Sequence, residues 1–91
     1  MATRTVISVL GADRTGIVAA LATTLANHGA SIDDISQTIM NDIFTMTMMV
    51  TLDDEKGPFN TVQDALAKNA EELGVQVTIQ REDVFKSMYE I

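Results

Sequence analysis

Hydrophobic spacing in this chain switches repeatedly between a two-residue and a 3.6-residue period, and glycine, proline or a polar pair marks the switches. Residues 3–10 (TRTVISVL) are rich in β-branched types, with apolar side chains on both parities. That pattern predicts a central strand covered at least in part on both faces, ended by Gly11. Residues 15–28 then place Ile17, Leu21, Leu25 and His28 on one helical face. Asp13 or Thr15 is positioned to cap the first free amides, and Gly29 stands where a C′ glycine ends a helix. Residues 31–40 (SIDDISQTIM) and 43–52 (IFTMTMMVTL) predict two antiparallel strands around the Asn41-Asp42 turn. Phe44, Met46, Met48, Val50 and Leu52 share one face of the second, and Ile43, Thr45, Thr47, Met49 and Thr51 the other. Adjacent Asp33 and Asp34 break the alternation, which predicts a bulge.

After the turn 53–57, Pro58 is expected at the first position of a second helix whose buried stripe is Phe59, Val62, Leu66, Ala70 and Leu73. Gly74 ends it. Residues 75–80 alternate cleanly, with Val75, Val77 and Ile79 inward and Gln76, Thr78 and Gln80 outward. Residues 83–91 predict a short amphipathic helix with Val84, Met88 and Ile91 on one side. So short a helix needs something to pack against, either the uncovered sheet face or a second subunit. The order β-α-β-β-α-β, with right-handed crossovers, predicts an α+β fold. It is the ferredoxin-like βαββαβ plait: a four-stranded antiparallel sheet, two helices on one face, and a short C-terminal helix. The expected organisation is one domain over 1–91, with a core at 3–80 and the terminal helix at 83–91.

Composition narrows what such a domain can do. The chain has 91 residues, enough for one domain. There is no Trp, and the aromatics are Phe44, Phe59, Phe85 and Tyr89, so the core is aliphatic with methionine filler. Six basic residues against thirteen acidic ones give a net charge of −7. Scattered cations cannot follow a phosphate backbone, so neither nucleic acid nor an anionic membrane is expected as partner. The absence of cysteine removes disulfides, thiol catalysis and cysteine-held metals. No signal peptide or membrane span is legible, so a cytoplasmic location is expected. His28 lacks companion residues for catalysis or metal binding, and Asp53-Asp54-Glu55 reads as a solvated turn. The expectation is therefore a protein that is not an enzyme and holds no cofactor or metal.

The loop Gly11-Ala12-Asp13-Arg14-Thr15-Gly16-Ile17 is the candidate for chemistry. Free amides at the helix start favour a carboxylate, Gly16 permits close approach, and Asp13 can hold an ammonium group. That combination suits a zwitterionic amino acid, although local chemistry alone favours ordinary helix capping with Arg14 solvated. The segment Asp13-Arg14-Thr15-Gly16-Ile17-Val18 resembles the first loop of ACT domains, in which Asp-Arg-Pro-Gly-Ile is common; Thr15 replaces the proline. Gly29 to Ile35 (GASIDDI) resembles the helix-to-second-strand junction of that family, and the element order matches over 3–80. The whole chain resembles small bacterial proteins made of one stand-alone ACT domain, similar to the glycine-cleavage repressor type.

That resemblance implies a regulatory homodimer or higher homo-oligomer binding an amino acid or similar small molecule between subunits. Asp13, Arg14, Gly16 and Ile17 of one copy would face Ser31, Ile32 and Asp33 of the other. It equally admits a ligand-free dimer that only pairs or binds a protein partner. Among other plaits, an acylphosphatase needs a glycine-rich phosphate loop and an asparagine on the second strand, where only Asn41 stands, at the far end. An RNA-binding plait needs exposed strand aromatics, and Phe44 is the one strand aromatic. A copper chaperone needs paired cysteines.

Overall fold

The computed structural model describes residues 2–12 and 16–89. Its elements are β1 (Ala2–Ala12), α1 (Ile17–Asn27), β2 (Ser31–Met40), β3 (Ile43–Asp53), α2 (Phe59–Leu73), β4 (Gln76–Arg81) and α3 (Glu82–Tyr89). The strands form one antiparallel sheet in the order β2-β3-β1-β4. This is the ferredoxin-like plait expected from the element order.

The centre of the sheet is the β1–β3 pair, in unbroken register from Ala2↔Asp53 to Ala12↔Ile43. Alternation then sorts side chains by face. Thr5, Ile7 and Val9 from β1 and Phe44, Met46, Met48, Val50 and Leu52 from β3 point into one buried layer. Ile17, Leu21 and Leu25 of α1 and Val62 and Leu66 of α2 close that layer from above. Each apolar side chain so removed from water contributes about 1.5–3 kcal/mol. The hydroxyl of Thr24 on α1 donates to the side-chain oxygen of Asn69 on α2, tying the helices together.

Several local expectations change. Gly11 does not end β1; the strand runs through it to Ala12. Its role is close approach, because a Cβ there would lie 2.6 Å from Cγ1 of Val75. Pro58 precedes α2 as its N-cap, with φ −63° and ψ 157°, rather than occupying the first helical turn. Its fixed φ suits either place, but the extended ψ keeps it outside the helix. The expected bulge is present as a register shift between Ile32 and Asp34. Asn41 takes φ 58° in the β2–β3 turn, as the polar pair suggested.

α3 follows β4 without a linker and packs in cis against β1 and β4. Its start is marked by the pairs Arg4 Nε–Glu82 Oε2, 3.4 Å, and Lys86 Nζ–Glu82 Oε1, 3.7 Å. Both cations are largely exposed, so these pairs orient the helix more than they stabilise it. Val6 faces away from α1 and α2 yet is buried, at the end of the sheet where α3 packs. Ile91, expected on the apolar stripe of this helix, lies outside the described residues. The molecule is a slab of 39 × 36 × 19 Å, and much of the sheet face opposite α1 and α2 is left open.

One core group is anomalous. Thr5 is fully buried, and its hydroxyl has no hydrogen-bond partner among the described residues. A buried unsatisfied hydroxyl costs free energy that an isosteric apolar group does not. Thr5→Val should therefore raise stability by about 1 kcal/mol, or roughly 4–8 °C in Tm for a domain of this size. A melt showing a lower Tm would mean that the hydroxyl is satisfied.

Candidate ligand groove and pairing edge

Asp13 and Arg14 lie outside the described residues. Gly16 is the N-cap of α1, with φ 91° and ψ −1°, and its carbonyl accepts from the amide of Ala20 at 2.9 Å. Only glycine adopts that conformation without strain, and the chain needs it to swing from β1 into the helix. No side chain caps the helix among the described residues. The start of α1 thus presents a positive dipole end to whatever lies in front of it.

In front of it is a concavity of about 480 Å³, bounded by Gly16, Ile17, Val18 and Ala19 on one side and by Gln37, Ile39 and Phe44 on the other. Its floor is apolar, with Gln37 as the one polar strand side chain. Gln37, Ile39 and Phe44 were not among the residues expected to form a site. Alternation after the bulge places Ile35, Gln37 and Ile39 on the helix side of β2, so the signal was present in the period.

β2 is an edge strand, as β4 is at the other side of the sheet, and every residue of β2 is exposed. Ile32, Ile35 and Ile39 line its helix-side face at 39%, 42% and 58% exposure, because α1 does not reach far enough to cover them. The bulge turns both aspartates away from that side. Asp33 Oδ2 accepts from the hydroxyl of Thr51 at 2.5 Å, on the open sheet face, and Asp34 Oδ1 accepts from the amide of Ile35 at 2.8 Å. Of the three expected contacts on β2, only Ile32 therefore shares a side with Gly16 and Ile17. Within one chain they are also far apart: Ile32 stands seven strand residues, about 23 Å, from Ile39 at the groove. A single chain does not bring the two halves of the expected site together.

No helix among the described residues is long and apolar enough to cross a membrane, and no group of three His, Asp or Glu there is placed to hold a metal ion.

The topology defines a ferredoxin-like plait, and comparison with known proteins gives the family. The ACT domain family matches residues 3–80, and the chain belongs to it. A UPF0237 protein of Methanocaldococcus jannaschii is 52% identical over 88 residues, covering 97% of this chain and 98% of that one. An ACT domain protein from Streptococcus pneumoniae superimposes with a TM-score of 0.76 at 34% identity, covering 100% of this chain and 98% of that one. A glycine cleavage system transcriptional repressor has a TM-score of 0.80 at 20% identity. It shares the fold over 89% of this chain, which spans 46% of its length. ACT domains are typically regulatory and ligand-binding.

The conformation at Gly16 gives a direct test of the local reading. A Cβ there meets no atom within 4 Å, so the whole cost of Gly16→Ala is backbone strain at φ +91°. Urea denaturation should show a loss of about 1–2 kcal/mol. No loss would mean that the loop relaxes out of the left-handed conformation.

Proposed function

We propose that this chain, as one domain, is a non-catalytic regulatory module of the cytoplasm. Two copies pair along β2 and hold a small zwitterion, such as an amino acid, at the joint. The observation that carries this reading is the exposed β2 edge beside the helix-start groove. An unpaired ten-residue strand edge with a row of exposed isoleucines is a template for another strand. A two-fold antiparallel partner meets it as an isologous edge. With the axis at Ser36, near the strand midpoint, the partner's Ile35 lies beside Gln37 and, across the bulge, the partner's Ile32 lies beside Ile39. The groove of one copy then gains the β2 start of the other, with the partner's Ser31 and Asp33 at its margin.

The groups supplied have distinct roles. The free amides and dipole of α1 favour the carboxylate. Asp13 carries the charge that suits the ammonium group, and Arg14 follows it in the sequence. Ile17 and Ile32 supply apolar walls. The reading as a binder rather than an enzyme rests on the same residues: His28, the single histidine, has its Nδ1 2.8 Å from the carbonyl of Thr24, away from the groove. A pairing module with no small ligand is the second reading, favoured by the engagement of Asp33 with Thr51 on the opposite face.

A thermal-shift screen against the amino acids separates the two. A ligand at 100 times its Kd adds about 2.7 kcal/mol, or roughly 10–20 °C here, and Asp13→Ala should remove the shift without changing oligomeric state. No shift with any amino acid would leave the pairing module alone standing. The edge has its own test. Ile35→Lys, which places a charge beside the proposed two-fold on an already exposed position, should convert edge-paired dimers to monomers in sedimentation without lowering Tm by more than a few degrees. An unchanged dimer would place the interface elsewhere.

A further inference from the structure

We infer that the open face of the sheet, at the β2–β3 hairpin end, is a second self-association surface that stacks on the same face of another copy. The observation is independent of the β2 edge. α3 packs against β1 and β4 where Arg4, Val6 and Gln80 lie, and leaves the other end of that face bare. There Leu10, Met40 and Ile43 are 47%, 65% and 52% exposed. They are contiguous: Met40 and Ile43 are direct cross-strand partners, Ile43 is paired on its other side with Ala12, and Leu10 is one diagonal step away.

Charge identifies the occupant. The chain carries −7, yet every outward-facing position within residues 8–12, 36–40, 43–47 and 76–78 is a neutral residue. The acidic side chains lie off this patch: Asp33 and Asp34 at the far end of the same face, Asp53, Asp54 and Glu55 in the turn beyond it, and Asp64, Glu71 and Glu72 on the outer surface of α2. Two copies of so acidic a chain repel wherever those surfaces meet. On the bare face they meet without like charges, with leucine, isoleucine and methionine framed by Ser, Thr and Gln hydroxyls and amides. A strongly charged partner would find no complement there. A second copy finds one automatically, since a two-fold contact sets each patch against itself. Aligned packing of two such sheets is an ordinary core geometry, and Asp42 in the hairpin turn falls at the rim, where charge is tolerated.

The patch spans about 19 Å across four strands and roughly 17 Å along them, small for a stand-alone dimer. Association through it is therefore concentration-dependent. Combined with pairing at the β2 edge, it makes a tetramer from dimers.

Sedimentation velocity over a wide concentration range reads this directly. Wild-type protein should pass from dimer to tetramer. Ile43→Glu should stay dimeric, its midpoint for further association moved at least about tenfold by like charges across the contact. Ile35→Lys should lose the edge and keep a monomer–dimer equilibrium through the face. Mixing Ile43→Glu with Ile43→Lys should restore the tetramer that neither forms alone, which also controls for misfolding. Ile43→Glu associating like wild type, including a wild-type dimer that goes no further and that Ile43→Glu leaves intact, overturns this inference and leaves the edge reading intact. Monomers from Ile43→Glu alongside unaltered association of Ile35→Lys would keep the face and remove the edge.

Discussion

The eleven-residue register of β1 against β3 is the constraint on which the rest of the molecule depends. Once Ile7 stands opposite Met48 and Val9 opposite Met46, the pleat decides which side chains share a layer. α1 and α2 must then lie on that side, since it is the one with enough apolar area to hold them. The same register pushes Thr45, Thr47 and Met49 to the other side. A shift of one residue would exchange the faces and bury a row of hydroxyls. Core, groove and open face are thus three consequences of one pairing.

Most of the fold is legible in the sequence because period and punctuation agree. α1 and α2 carry apolar residues at helical spacing and end before glycines, and Gly29 and Gly74 do take positive φ. Asn41-Asp42 marks its turn, and the paired aspartates mark their bulge. Gly11 and Pro58 read differently from their structural roles because single residues of these types serve several purposes. Gly11 continues its strand because Val75 crowds it, which is a tertiary fact. The end of a strand and a close approach look alike in one dimension.

The candidate site is only half legible for a similar reason. Gly16 and Ile17 open a helix whose start is written locally. The groove is made by α1 facing β2, so Gln37, Ile39 and Phe44 enter it through packing that no local pattern encodes. Asp33 illustrates the limit most clearly. Its place on the second strand is legible, but its direction follows from the bulge, which turns its carboxylate to Thr51. The family assignment then supplies what geometry alone does not, a reason to look for regulation at that groove.

The bulge between Ile32 and Asp34 has a consequence for how such an edge behaves in a crowded solution. A uniform strand edge offers many equivalent registers, and any extended segment that drifts past can bind one. One inserted residue breaks that translational sameness. It also puts Ile32 and Ile35, three residues apart, on one face, where regular alternation would separate them. The edge becomes a short bar code instead of a ruler: a partner strand carrying the same irregularity in the reverse direction can match it along its length. An edge marked in this way is a poorer template for an arbitrary strand than a regular one.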